Sequence, residues 1–303
     1  MSLKGKHLLS DFDFSKDEYN HLLDLALKMK RGEVKKNLNG KSLIMMFQKP
    51  STRTRLSFEI GMTRLEGHAV FLDLGTSQLG RGETIADTAR VMARYADIVM
   101  ARLNSQTDLE EIAKHSKVPV INALTDMYHP CQIMADLLTV LEHKKKIAGL
   151  KIAFMGDCGF NMFNSTAIGF SKLGADVYGG CPESYRMKEE LLVRARKDAI
   201  GKIVLTSDPI EAVKDADVVM TDTWVSMGQK DEQKRITELM PFQVNATLMK
   251  HAKPDAIFMH CLPAHREHEV TNEIADSKQS VIFDQAENRL HAQNAIMVEL
   301  LGA

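Results

Sequence analysis

Residues 42–55 read SLIMMFQKPSTRTR: six largely apolar residues, a polar turn with a proline, then a segment that runs on as LSFEIGMTRL with helical spacing. A continuous apolar run of strand length suits a parallel strand covered on both faces. A sheet with one wet face would alternate instead. Pro50 disfavours helix at Lys49, so the chain is extended there. Ser51 then stands where an N-cap belongs. The stretch reads as strand, loop and helix in immediate succession.

The pattern recurs. AVFLDL (69–74), DIVMAR (97–102) and VPVINAL (118–124) read as further strands of a first set. KIAFMG (151–156), DVYGG (176–180), KIVLTS (202–207), DVVMTD (217–222), AIFMH (256–260) and SVIFD (280–284) read as a second. Amphipathic segments lie between them, including 17–30, 53–65, 85–95, 108–115, 163–173 and 186–197. Alternating strands and helices predict an α/β chain of two domains, each with a central parallel β-sheet flanked by helices. No Pro/Gly/Ser linker separates the sets. The boundary is placed in a helix from Pro130 to about Ile147, within 130–149, dividing 1–134 from 150–285. A chain of 303 residues suits two domains of about 150 each.

With 44% apolar and 26% charged residues the composition is globular, and a formal charge of −1 gives no bulk attraction to nucleic acid or an anionic membrane. Any anion site must therefore be local. Cys131, Cys158, Cys181 and Cys261 form no CxxC pair, and with 18 methionines beside them they point to a reducing, cytoplasmic setting. No apolar run approaches the roughly 20 residues of a membrane span. The opening MSLKGKHLLSDFDF lacks the apolar stretch of a signal peptide.

In open parallel sheets, ligands bind beyond the carboxyl ends of the strands, which directs attention to the residues just after each run. After SLIMMF comes PSTRTR. Free amides at a helix start bind anions, and Arg53 and Arg55 would add guanidinium forks for phosphate oxygens. Without an anion, cations in a first helical turn oppose the helix dipole, so an oxyanion site is the better reading than a merely capped surface helix. The spacing is not GxxxxGK[ST], so no nucleoside triphosphate is implied.

Arg102 ends its run, and such an arginine also suits a salt bridge. His129 and Gln132, in HPCQ, are three apart at a helix start and can share a face; alone, His129 suits a structural hydrogen bond equally well. GDCGFN is a loose relative of a dinucleotide turn without the GxGxxG spacing, and Asn161 there reads as a helix cap or a ligand contact. Asp222 opens a loop with the single Trp, TDTWVSMGQ, and suits a cap or a cation. In HCLPAHREHE, His260, Cys261, His265 and His268 match no usual zinc spacing. Cys261 reads as a nucleophile or as a small buried hydrophobe.

FQKPSTRTR, HPCQ, DTWVSMGQ, HCLPAHR and QAENR occur in this order at the expected separations. Together they resemble the aspartate/ornithine carbamoyltransferase family over essentially the whole chain, the SMG loop and HCLP marking its ornithine branch. The resemblance implies a carbamoyl-phosphate domain and a Rossmann-like amino-acid domain, with a C-terminal helix, 286–303, returning to the first. It implies transfer of the carbamoyl group from carbamoyl phosphate to the δ-amine of L-ornithine, giving citrulline and phosphate, within arginine metabolism. It assigns the phosphate to Ser51, Thr52, Arg53 and Thr54, and the carbamoyl and phosphate side to Arg102, His129, Gln132 and Arg289. Asn161, Asp222, Ser226 and Met227 would hold ornithine's α-amino and carboxylate groups, and Cys261 and Leu262 would line the reaction centre. Arg102, His129, Asp222 and Cys261 are the implied catalytic set. No cofactor and no metal is implied. A homotrimer is, with Gln78 of SQLGRGE reaching a neighbouring subunit's site.

Two departures stand out. Gly159 and Phe160 occupy a turn where relatives often carry polar residues, and Glu267 stands where glycine is usual. Competing readings are a carbamoyltransferase for aspartate, putrescine or an acylated ornithine, a non-catalytic phosphate binder, and an NAD-dependent dehydrogenase. The SMG loop and HCLP argue against aspartate and putrescine.

Overall fold

A computed structural model describes residues 2–76, 82–225 and 231–303. The chain divides into two compact units, one of residues 1–138 with 287–303 and the other of residues 139–286. Both divisions fall inside helices, Pro130–Lys144 and Ile282–Leu301.

In the first unit, β1 (Ser42–Phe47), β2 (His68–Asp73), β3 (Ile98–Arg102) and β4 (Val120–Leu124) form a parallel sheet in the order β2-β1-β3-β4. Met46, Val99, Ala101 and Val120 pack one sheet face against Ala89, Met92, Leu109 and Ile112 of two helices. β3 and β4 are covered on both faces, as continuous apolar runs require. β2 departs from that reading. It is an edge strand, and its Val70 and Phe71 remain 45% and 36% exposed.

In the second unit, β5 (Lys151–Met155), β6 (Asp176–Gly180), β7 (Ile203–Thr206), β8 (Val218–Thr221) and β9 (Ile257–His260) form a parallel sheet in the order β7-β6-β5-β8-β9. This is the doubly wound, Rossmann-like arrangement. Ala153, Met155, Val219 and Phe258 pack beneath Val213, Leu248, Ile274 and Ile282.

SVIFD is not a strand. Ser280 makes an isolated bridge to Phe258, and the helix Ile282–Leu301 starts two residues later. The reason is visible in burial: Ile282, Gln285, Asn288, Arg289 and Ala292 are covered while Phe283 is 69% exposed, a period of 3.6 rather than 2. The boundary helix also ends earlier than expected, at Lys144, because Lys145 turns into the left-handed region at φ 63°.

Glu267 adopts φ 68°, a conformation costing a side-chain residue roughly 1–2 kcal/mol. Local bonds offset this. Glu267 donates its amide to the Val270 carbonyl at 2.8 Å, and its Oε1 accepts the Asn272 amide at 2.8 Å. The positive φ also explains why glycine suits this position.

Gly179 of β6 sits directly beneath Phe163 of the helix Asn161–Lys172. A Cβ there would lie 2.7 Å from Phe163 Cζ and 2.7 Å from Leu205 Cδ2. The ring cannot retreat, since it packs edge-on against Phe154 with centroids 5.4 Å apart. Gly179→Ala is therefore expected to destabilise the fold by about 1–3 kcal/mol through overpacking. Urea denaturation should register this as a lower midpoint with an unchanged slope.

Candidate functional site

Each sheet has one place where strand order reverses, and the crevice there is where ligands sit. In the first unit it lies between β1 and β3. The loop after β1 leads into the helix Thr52–Arg64 and β3 ends at Arg102, so PSTRTR and Arg102 share one sheet end.

Ser51 is the N-cap of that helix. Its Oγ accepts the Thr54 amide at 3.3 Å and donates to Thr54 Oγ1 at 3.1 Å. The Arg55 amide donates to the Ser51 carbonyl at 3.0 Å. The amides of Thr52 and Arg53 are left for a ligand, and no acidic residue occupies this first turn.

The two arginines separate. Arg55 does not face the anion site. Its Nε donates to Glu59 Oε2 at 3.0 Å and its guanidinium lies 4.1 Å from the centre of the Phe71 ring. Positions 53 and 55 lie roughly 200° apart around a helix, so one turns outward when the other turns in. Among the described residues, none pairs with the Arg53 guanidinium.

Arg289 reaches the same place from the C-terminal helix. Its Nη2 donates to Thr54 Oγ1 at 3.2 Å and its Nη1 to Gln132 Oε1 at 2.6 Å. Gln132 in turn donates from Nε2 to buried Asp136 Oδ1 at 2.8 Å. With its carboxamide oriented to suit its neighbours, Gln293 accepts from Arg289 Nε and Nη2, each at 3.0 Å, and donates to Ser57 Oγ at 2.7 Å. Asp136 and Gln293 are absent from the sequence-based set. The available signal was spacing: each lies four residues along a helix from a residue it holds.

His129 precedes the helix Pro130–Lys144 and is buried. Burial pushes its pKa well below the ordinary 6.5, and the positive charges of Arg289 and Arg102 push it the same way. It is therefore a neutral imidazole beside two guanidinium groups. Ser51, Thr54, Arg102, His129, Gln132 and Arg289 thus belong to one constellation within the first unit.

In the second unit the order reverses between β5 and β8. β5 leads into GDCGFN and β8 into Asp222. Asn161 is not the cap of its helix. Phe160 takes that position with no side-chain bond, and Asn161 is the first helical residue, buried. Thr221 pairs with His260 across β8 and β9, so Asp222 and Cys261 emerge side by side. Cys261 Sγ donates to Asp222 Oδ1 at 3.0 Å. Loss of water pushes the Asp222 carboxyl above its ordinary 3.8; nearby His260 and the Cys261 bond partly oppose this.

Behind them, His260 Nδ1 accepts the Leu262 amide at 2.8 Å, so its Nε2 carries the proton donated to Glu269 Oε1 at 3.1 Å. That contact was also missed, since only the folded loop brings Glu269 back. Donor atoms of Asp222, His260 and Cys261 lie within 4.8 Å of one another, a spacing a metal ion could also use. Gln78, Ser226 and Met227 lie outside the described residues.

Residues 6–142 match the family model described as the aspartate/ornithine carbamoyltransferase carbamoyl-P binding domain, and residues 148–300 match that of its Asp/Orn binding domain. The chain is 51% identical over 310 residues to the ornithine carbamoyltransferase of Thermococcus kodakarensis, covering all of this chain and 98% of that protein. To the ornithine carbamoyltransferase of Bacillus subtilis it is 50% identical over 304 residues, covering 99% and 95%. The solved structure of ornithine carbamoyltransferase from Pyrococcus furiosus superposes with a TM-score of 0.95 at 50% identity, covering 100% of this chain and 99% of that one.

Two outcomes are expected from the geometry. Arg53→Gln should weaken inorganic phosphate binding by about tenfold or more, the scale of one charge-assisted bond, while Arg55→Gln should leave it nearly unchanged; titration calorimetry reads both. In a 15N-histidine NMR titration, the His129 resonance should stay neutral on acidification through its ordinary 6.5. Below that value the unfolded chain binds this proton and the folded chain does not, so His129's contribution to stability falls as pH drops.

Proposed function

The chain belongs to the aspartate/ornithine carbamoyltransferase family, and from that premise we propose that it transfers the carbamoyl group of carbamoyl phosphate to the δ-amine of L-ornithine, giving L-citrulline and phosphate. The observation that carries the reading is the anion cradle of the first unit: a Ser51-capped helix start, with Arg289 bound to Thr54 and Gln132.

Carbamoyl phosphate is already activated, so the chemistry calls for no cofactor. Ser51, Thr52, Arg53, Thr54 and Arg289 hold its phosphate through amides, hydroxyls and guanidinium forks. As the amine attacks the carbamoyl carbon, negative charge grows on the carbonyl oxygen. Arg102 and His129 stabilise it, with Gln132 beside them. Removing one such donor typically costs about 10²–10³ in turnover. Because His129 is neutral, it donates a hydrogen bond without adding a further cation to Arg53, Arg102 and Arg289.

The amine must be neutral to attack, and an alkyl ammonium has a pKa of about 10.4. Asp222, whose carboxyl is shifted toward proton uptake and is held by Cys261, assists that deprotonation. The departing phosphate takes the proton finally. Asn161, Asp222, Ser226 and Met227 hold ornithine's α-amino and carboxylate groups, and Cys261 and Leu262 line the reaction centre.

The working assembly is a homotrimer in which Gln78 completes a neighbour's site. Apolar side chains on the outer face of the first unit, Leu56, Ile60, Val70 and Phe71, support self-association there. The cytoplasm is the inferred location, supported by four cysteines with no disulfide among them.

Citrulline formation from ornithine and carbamoyl phosphate is the direct test. Faster carbamoylation of aspartate, putrescine or an acylated ornithine would refute the substrate. Cys261→Ala and Asp222→Asn should each lower kcat by about 10² or more, the usual scale of proton-transfer assistance. Near-normal rates in both would remove them from the mechanism.

A further inference from the structure

The loop after β9 reads CLPAHREHEV (261–270), and three of its side chains lie outside the set assigned above to the transfer. One ring nitrogen each from His265 and His268 and one carboxylate oxygen from Glu269 lie within 4.8 Å of one another. We propose that His265, His268 and Glu269 form a binding site for a divalent transition-metal ion, with Zn²⁺ as its best fit.

Geometry and chemistry both point there. Two imidazoles and a carboxylate are a common zinc donor set that leaves a fourth position open. His265 is exposed, His268 half-buried and Glu269 fully buried, so the cluster is reached from solvent and anchored from within. An independent observation marks Glu269 as the anchor. Its Oε1 accepts from His260 Nε2 at 3.1 Å and from the His265 amide at 2.6 Å, whereas among the described residues its buried Oε2 has no hydrogen-bond partner. A buried carboxylate oxygen without a donor is costly, and a cation would satisfy it.

The surrounding atoms hold the ligands as metal sites require. Thr223 Oγ1 lies 3.0 Å from His265 Nδ1 and fixes that ring. The backbone between the ligands is fixed by Glu267 in its left-handed conformation and by Gln243, whose Nε2 donates to the carbonyls of Glu267 and His268 at 3.0 and 2.9 Å. Thr223 adjoins Asp222, and Glu269 touches the residue before Cys261. A bound ion would therefore stiffen Asp222 and Cys261, the pair assigned above to ornithine binding and the reaction centre. The metal site rests on its own geometry; only this last consequence rests on the proposed reaction.

The experiment is Zn²⁺ titration of the purified full-length chain, stripped with a chelator, in competition with a chromophoric indicator. Wild type should bind one ion per chain at this cluster and melt at a higher temperature with zinc present. His268→Gln should weaken binding at least about tenfold, a cost that even outer-shell changes reach, and abolish the melting shift. Cys261→Ser reports on the other cluster, Asp222, His260 and Cys261, and should leave zinc affinity within about twofold. His265→Gln provides a second loss at a more exposed position. No zinc binding by wild type, or binding that survives both histidine variants, would overturn the proposal. So would binding lost in Cys261→Ser alone. Citrulline formation in zinc-free buffer is measured separately, so failure of the reaction and failure of the metal site are told apart.

Discussion

The first unit depends on a buried charge that must be satisfied. Arg289 is 4% exposed and Asp136 is fully covered, and Gln132 stands between them. One face of its carboxamide accepts from the guanidinium while the other donates to the carboxylate. Burying either ion alone would cost several kcal/mol. The relay gives each of these groups a hydrogen-bond partner while pointing the remaining Arg289 donors toward Thr54. The C-terminal helix, the helix Pro130–Lys144 and the helix Thr52–Arg64 are thereby fixed to one another inside the unit. The helix start with its free amides is placed by this linkage as much as by its own cap.

The same economy of placement explains why both units put chemistry at strand ends. A parallel sheet needs crossover helices on both faces, and where the winding changes direction two neighbouring loops part. In the first unit that gap receives a helix N-terminus rich in amides and Arg53. In the second it receives Asn161 and Asp222, with Cys261 one strand further on. The first is suited to a phosphate and the second to an ammonium group. The unlike chemistry comes from the loop residues that succeed each strand, since the two sheets share one architectural rule.

Much of this was legible in the sequence, and the failures are instructive. Continuous apolar runs marked the strands of both sheets because burial on both faces leaves little room for polar residues. SVIFD carried the same composition and became a helix start, since composition over five residues does not distinguish period 2 from period 3.6. Arg53 and Arg55 are equivalent in a string, and only the position of β2 and Phe71 decides which of them is occupied on the outside. Asp136 and Gln293 were hidden for a different reason. They act by holding Gln132 and Arg289, and nothing in their own neighbourhood of sequence suggests an anion. Glu269 is reached through a loop whose path depends on two residues with positive φ, Leu262 and Glu267.

Each unit has its own protonation pattern. In the first unit burial, reinforced by two guanidinium groups, keeps His129 neutral, so charge is supplied by arginines that cannot lose it and hydrogen bonding by an imidazole that does not gain it. In the second unit, removal from water raises the Asp222 carboxyl while a thiol donor holds it in place. On the proposed assignment, a transfer that begins with a protonated amine and ends with a charged leaving group is served by both features: a positive cradle whose charge does not change with pH, and an acceptor whose proton affinity has been raised. Burial alone would supply the second but would neutralise the first. Arginine, rather than lysine or histidine, resolves that conflict, since its charge survives the same desolvation that shifts its neighbours.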